Sequence, residues 1–327
     1  MATELQRIHR SSTSDEREHV QLLLKVARMY YEEGATQAQI AKQVGYSRPT
    51  VSRLLTEARE EGVVHIRITH PLERSMSMEE ALAHKFGLVG ARIAEATDLA
   101  SLTQNVARCA ADYLIETSLE DCTIAVSNGF AVNATIEAMP RMNWYASKVI
   151  QAIGSVNNEE VLVDASETCR RLASQLGGRH IALPAPLVVS SPEVAAALAQ
   201  STQVATILNS AARADVALVG IGTVADRKQG YIFDGYFEEE TSQILAREGA
   251  VGHICGHHFD ADGRHILTPL CNRTIGITPA HLQRMPKVVG VAWGEHKLDA
   301  IRGALKGKLI SVLVTNRDTA EALLASD

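Results

Sequence analysis

Six residues within a short span, Ser47, Arg48, Pro49, Thr50, Ser52 and Arg53, carry the chemistry of nucleic-acid contact. An arginine guanidinium reaches guanine O6 and N7 as a fork, and serine or threonine hydroxyls serve bases or phosphates. A second set sits in glycine-bearing turns after apolar runs: Ser127-Asn128-Gly129, Gly154-Ser155, Gly220-Ile221-Gly222-Thr223 and Gly294-Glu295-His296-Lys297, with Pro184-Ala185-Pro186 in a comparable place. Glycine lets a backbone approach a ligand closely, a following helix N-terminus favours anionic groups, and Lys297 adds a mobile cation. Other reactive types are present without a compact arrangement. Asp164, Asp234, His257 and Glu295 are carboxylates and an imidazole of the kind a general base requires, but no motif sets them together. Cys255, His257, His258 and Cys271 are of zinc-ligating type, yet the paired spacing of a zinc motif is missing. Gly220-Ile221-Gly222 lacks the third glycine and the later acidic residue of a dinucleotide fingerprint. No catalytic residue, metal or cofactor is therefore expected.

The elements that must position the first set are three helices before residue 62. Asp15 to about Glu33 carries Val20, Leu23, Leu24, Ala27 and Tyr30/Tyr31 on a helical period and ends at Gly34. Thr36 stands where an N-cap belongs, before Gln37–Val44, and Gly45 follows as the turn residue. Ser47 caps Arg48–Glu61, with Pro49 in the first turn, where a missing N–H costs little. Small Ala41, the Gly45 turn, and Val51 and Leu54 facing Ile40 and Val44 follow the packing logic of a helix-turn-helix. Its second helix enters the major groove by its N-terminal end. Val63–Thr69 alternates in polarity, with Arg67 between Ile66 and Ile68, and reads as a short strand or wing.

Beyond Pro71–Ser77, the expected boundary between a 1–70 and a 71–327 domain, Ser77-Met78-Glu79-Glu80 matches a capping box opening a helix toward Phe86. Leu99–Ser118 is a long helical segment. Strands are expected at Thr123–Ser127, Lys148–Ile153, His180–Leu183, Val216–Gly220, Val288–Trp293 and Ile310–Thr315. Helices are expected at Val132–Met139, Glu159–Leu176, Pro192–Ala199, Val204–Arg213, Lys297–Leu305 and Thr319–Ala325. Such βα alternation implies an α/β domain with a mostly parallel, Rossmann-like sheet covered on both faces. Ligands of such sheets bind beyond the carboxyl ends of the strands, where the glycine turns lie.

Composition bounds the class. The 327 residues are 46% apolar and 21% charged, which fits a globular chain with a large core. Five scattered cysteines without a paired spacing suit a reducing compartment, and no apolar run approaches a membrane span, so a cytoplasmic location is expected. The net charge of −6 divides into about +1 up to His70 and −7 beyond it. DNA affinity must therefore come from local placement of cations and from more than one DNA-binding arm.

Over nearly the whole chain the sequence resembles the SorC family of sugar-responsive bacterial regulators. Thr36-Gln37-Ala38-Gln39-Ile40-Ala41 through Val51-Ser52-Arg53-Leu54-Leu55 is similar to the family's DNA-binding helix pair. Further matches are Leu183–Leu187, Asp215–Gly222, Gly249–Gly256, Phe259–Gly263, Gly290–Gly294, Lys297 and Leu313–Thr315. The resemblance implies a homotetramer that binds operator DNA and a sugar, polyol or sugar phosphate. It implies a large domain similar in fold to ribose-5-phosphate isomerase and glucosamine-6-phosphate deaminase. It also implies an effector site at Ser127–Gly129, Gly220–Gly222 and Lys297, with Asp234 placed to hydrogen-bond ligand hydroxyls. The first turn departs from the family: Asn128-Gly129-Phe130-Ala131-Val132-Asn133 lacks the small hydroxyl residues suited to phosphate, which makes a neutral sugar or polyol a rival ligand. The alternative function is a sugar-phosphate isomerase or deaminase carrying an accessory DNA-binding domain.

Overall fold

The computed structural model describes residues 18–64, 71–95, 99–156, 164–224 and 238–325. The chain divides into two compact units, residues 1–70 and 71–327.

In the first unit, helix α1 (residues 18–31) packs on α2 (Gln37–Val44) and α3 (Arg48–Glu60). Leu23, Val26, Ala27 and Met29 of α1 join Ile40, Val51, Leu54, Leu55 and Ala58 in one small core. The α1 face differs from the expected one. Val20, Leu24, Tyr30 and Tyr31 stay exposed, because the same helical period fits a face rotated by about one position, and that face meets α2 and α3. The α2–α3 turn follows the sequence closely. Thr36 and Gln39 form a reciprocal capping box, and Gly45 ends α2 at φ 75°, a conformation glycine adopts without a side-chain penalty. Val63 and Val64 pack against this core, whereas the rest of the expected wing, residues 65–69, lies outside the described residues.

The second unit opens with α4 (Pro71–Phe86) and β1 (Gly90–Ala94). The box at Ser77–Glu80 does not start α4; it falls inside the helix, which begins at Pro71, a residue well suited to a first turn. Glu79 instead accepts a hydrogen bond from the Ile93 N–H at 2.8 Å and so ties α4 to β1. There follow α5 (Leu99–Thr117), β2 (Thr123–Val126), α6 (Phe130–Ala138), β3 (Lys148–Gln151), α7 (Ala165–Leu176) and β4 (Arg179–Ile181). Next come α8 (Pro192–Gln200), α9 (Thr202–Ala211), β5 (Val216–Gly220), β6 (Gly222–Thr223), α10 (Glu239–Arg247), β7 (Ala250–Ile254) and β8 (His257–Asp260). The chain closes with α11 (Pro279–Leu282), β9 (Val288–Val291), α12 (Leu298–Lys306), β10 (Val312–Asn316) and α13 (Arg317–Ala325).

Seven strands form one sheet in the order β1-β10-β9-β5-β2-β3-β4, and every pairing is parallel. Its two faces carry separate apolar layers. Ala125, Ile150, Ala217 and Leu313 point into one, and Ile124, Val126, Leu218 and Val314 into the other, as the two-residue period of a strand dictates. Six of these strands are the expected ones. The seventh, β1, sits at an edge, and Arg92 interrupts its apolar pattern. A second sheet, β6-β7-β8, is antiparallel and was not expected from the sequence. Its β7–β8 hairpin turns through Cys255 and Gly256, both at positive φ (49° and 81°), so a cysteine occupies a position where asparagine or glycine would signal a turn.

This second sheet corrects the expected setting of one glycine turn. Gly220–Gly222 leads from β5 into β6, not into a helix. At Gly154–Ser155, Ser155 bridges Pro186 and the Gly154 N–H donates to the Ile275 carbonyl; the chain at 157–163, including the start of the expected Glu159–Leu176 helix, lies outside the described residues.

Candidate functional site

At the N-terminal end of α3, the hydroxyls divide into structural and available groups. Ser47 is the N-cap; its Oγ accepts from the Thr50 N–H at 3.3 Å and lies 2.7 Å from Thr50 Oγ1. These two side chains therefore hold the helix start, as Pro49 does from within its first turn. Arg48, Ser52 and Arg53 are exposed on the same helix while Val51, Leu54 and Leu55 face the core. Tyr46 is 47% exposed in the turn itself, a residue the sequence reading passed over. His19 of α1 meets Glu57 of α3 at 2.9 Å, which fixes the helix from behind.

In the large unit, β9, β5 and β2 are neighbours in the sheet, so the turns at their carboxyl ends are neighbours too. The Ser127 N–H donates to the Leu218 carbonyl, and its hydroxyl donates to the Asn128 carbonyl at 3.2 Å. Asn128 is buried, and its Nδ2 has no hydrogen-bond partner among the described residues. Gly129 at φ 118° turns the chain from β2 into α6, whose first turn has no side-chain cap. Gly220 has room for a methyl on its α-carbon at ordinary contact distance: the nearest groups would be the Asn128 carbonyl and a Val132 methyl, both at 3.8 Å. One residue on, Lys297 Nζ donates to the Ile221 carbonyl at 3.1 Å. Burial pushes the Lys297 ammonium below its ordinary pKa. Phe130 and Trp293 flank the same place, with ring centroids 6.3 Å apart. Neither aromatic was singled out from the sequence; their position directly after a glycine turn or at a strand end is the clue that was available.

Other expected residues have structural duties. A methyl on Gly154 would lie 2.3 Å from the Pro186 backbone, and one on Gly222 would lie 2.0 Å from the His253 imidazole, so both glycines serve close packing. Ser155 Oγ accepts from Gln151 Nε2 at 3.3 Å, and Thr223 pairs with Gly252 in the second sheet. Gly294, at φ 103°, donates its N–H to Thr319 Oγ1 and leads through a short 3-10 turn into α12. Asp234 lies outside the described residues. The residues that might have acted as bases are dispersed. Asp164 caps α7 and accepts from the Val156, Ser166 and Glu167 N–H groups. His257 is buried in β8, and Glu295 is exposed at the start of the 3-10 turn.

A capped two-helix reader of the helix-turn-helix type and a parallel-sheet domain with donor-lined strand ends define a DNA-binding regulator that carries a small-molecule domain. Comparison with known proteins makes the class specific. The sugar-binding domain family matches residues 70–325, and a homeodomain-like domain matches residues 20–65. The deoxyribonucleoside regulator of Bacillus subtilis (strain 168) is 33% identical over 94% of this chain and 99% of its own length. The sorbitol operon regulator of Klebsiella pneumoniae is 33% identical over 93% of this chain and 98% of its own. The crystal structure of full-length SorC from Klebsiella pneumoniae superposes with a TM-score of 0.73 at 32% identity, over 93% of this chain and 98% of that one. The chain belongs to the SorC family of sugar-binding transcriptional regulators. No helix among the described residues is long and apolar enough to cross a membrane.

Proposed function

We propose that this regulator controls a carbohydrate or polyol operon and that its DNA affinity is set by a phosphorylated sugar or polyol bound between the β2, β5 and β9 ends. The observation that carries this reading is the buried, unpartnered Asn128 amide beside the uncapped N-terminus of α6. Together with Lys297 it forms a set of hydrogen-bond donors that calls for an acceptor-rich, anionic group. Phe130 and Trp293 favour the neutral rival, since aromatic faces suit the C–H surface of an unmodified sugar, and the turn lacks extra hydroxyls. Calorimetric titration with matched polyols and their phosphates separates the two. Tight binding by phosphates alone supports the first reading; equal binding by neutral polyols overturns it.

Coupling follows from differential binding: the effector shifts DNA affinity only as far as it prefers one state of the oligomer. We propose a cytoplasmic homotetramer, which would present paired recognition helices to half-sites about one helical turn, or a multiple of it, apart. Sedimentation equilibrium at four chain masses would support this assembly; a stable dimer under operator-binding conditions would overturn it. We read the large domain as a sensor and not an isomerase, because Asp164 is committed to capping, His257 is buried in β8 and Glu295 is exposed. Turnover of pentose or hexose phosphates by the purified chain would overturn that.

A further inference from the structure

We propose that His257, His265 and Cys271 form a binding site for a borderline-soft divalent metal ion of the zinc class. The three residues come from separate places: β8, the strand-like return after it, and the 3-10 turn Cys271–Arg273. The fold brings one donor atom of each within 4.8 Å of the others. His265 Nε2 and Cys271 Sγ are already 3.5 Å apart. Two ligands on a tetrahedral ion with bonds of ~2.0–2.3 Å lie roughly 3.4–3.6 Å from each other, so this pair stands at chelating distance.

His257 supplies the independent indication. It is 3% exposed, and neither ring nitrogen has a hydrogen-bond partner among the described residues. Buried imidazoles ordinarily find a donor or acceptor, and an orphaned one facing two other ligand types is the arrangement a metal completes. Its ring meets His265 edge-on, with centroids 4.9 Å apart. The Cys271 thiol donates to the Ile266 carbonyl at 3.4 Å, a bond that loss of its proton on metal binding would release. Thr268 Oγ1 donates to Cys271 Sγ at 3.3 Å, which supports the charge that sulfur acquires on binding. Two nitrogens and one sulfur select zinc or cobalt over magnesium or calcium, which take oxygen ligands. His265 also lines a surface cleft of about 590 Å³.

Binding forms one metal–sulfur and two metal–nitrogen bonds. The imidazoles contribute lone pairs, and the Cys271 thiol proton leaves to solvent. The ion would pin the β7–β8 hairpin to the 268–276 segment, which lies against Ile153 and Val188 through isolated bridges at Gly276 and Thr274. The pattern eluded the sequence reading for a physical reason: Cys255 and His258 are near in sequence, but it is His265, across the hairpin return, that completes the trio.

The test uses full-length protein stripped with a chelator and titrated with Co(II), then with Zn(II). The expected result is one ion per chain, a thiolate-to-cobalt charge-transfer band in the near-ultraviolet, and a higher melting temperature with Zn(II). Cys271→Ser should lose the band and bind at least tenfold more weakly; His265→Gln should keep the band but bind at least tenfold more weakly. The half-buried His19 and Glu57 with exposed Glu61 form a second trio that offers no sulfur, so His19→Ala should leave the band unchanged. Absence of the band in the unmodified protein overturns the proposal, and so does zinc affinity that neither Cys271→Ser nor His265→Gln alters.

Discussion

Arg48 and Arg53 are exposed on one helix whose hydroxyl-bearing neighbours Ser47 and Thr50 are occupied in capping. Replacing both arginines with alanine should abolish operator-specific gel shifts and leave effector binding intact, each base contact being worth about 1–3 kcal/mol. Unchanged shifts would refute their assignment as readers, and a salt slope reduced by about one per arginine would mark a phosphate contact instead. At the other site, Lys297→Met keeps the aliphatic stem and removes the charge. Effector affinity should fall roughly 10–100-fold, the worth of a charged hydrogen bond of about 1.5–3 kcal/mol, with DNA binding in the absence of effector unchanged. The glycines give a sharper contrast. Gly220→Ala meets nothing within 3.8 Å and should leave the melting temperature near that of the parent while crowding the effector. Gly154→Ala drives a methyl to 2.3 Å from backbone and should destabilise the unit by about 1–3 kcal/mol. Thermal melts beside effector titrations distinguish the two kinds of glycine; equal destabilisation by both would contradict the room for a methyl at Gly220.

Among elements, α3 depends most on a single side chain. Ser47→Ala removes the acceptor for the Thr50 N–H and should cost about 1 kcal/mol in the small unit, visible as an earlier helical melt by circular dichroism. An unchanged melt would show that Thr50 alone secures the helix start. The cap sequence Thr36–Gln39, the Gly45 turn and the Ser47-Arg48-Pro49 start were all legible because each acts through neighbours within four residues. The inner strands of the parallel sheet were legible for a related reason: strands buried on both faces are nearly continuous apolar runs, such as Val216–Gly220 and Val312–Asn316, whereas the exposed edge strand β4 was found only through the apolar Ile181–Leu183 run that overlaps its end. The second sheet was not. Its strands carry His253, His257, His258 and Asp260, polar residues that only the surrounding packing makes compatible with burial.

For the molecule as a whole, that polar sheet sets a pH dependence. Burial, followed by the neighbouring His258 and Lys297, holds His253 well below its ordinary pKa of 6.5, so it is neutral when folded. In the unfolded chain it takes a proton near pH 6.5. The unfolded state therefore binds the extra proton between the depressed folded value and about 6.5. Stability from this group is complete above about pH 6.5 and is lost as pH falls below it. Urea midpoints measured from pH 7.5 down to 5 should decline, and His253→Asn should flatten part of that slope. A midpoint that rises on acidification would contradict a neutral buried His253. Lys297 acts in the opposite region: with its folded pKa lowered by burial, an anionic effector binds best below that pKa and loses affinity as pH rises through it.

The amino-acid sequence by itself determined the two-helix reader, the alternating βα order and the family, because capping, turn and apolar-run signals are local and survive in one dimension. That Arg48, Ser52 and Arg53 face outward was legible at that level too. Tertiary structure decided which glycines leave room for a ligand and which only permit close packing, since Gly220 and Gly154 are indistinguishable until Asn128 and Pro186 are placed beside them. It also decided that Asn128 is buried without a partner, and that His265 rather than Cys255 stands with His257 and Cys271. Such relations depend on which strands lie side by side, and strand order is set by packing across the sheet, not by spacing along the chain.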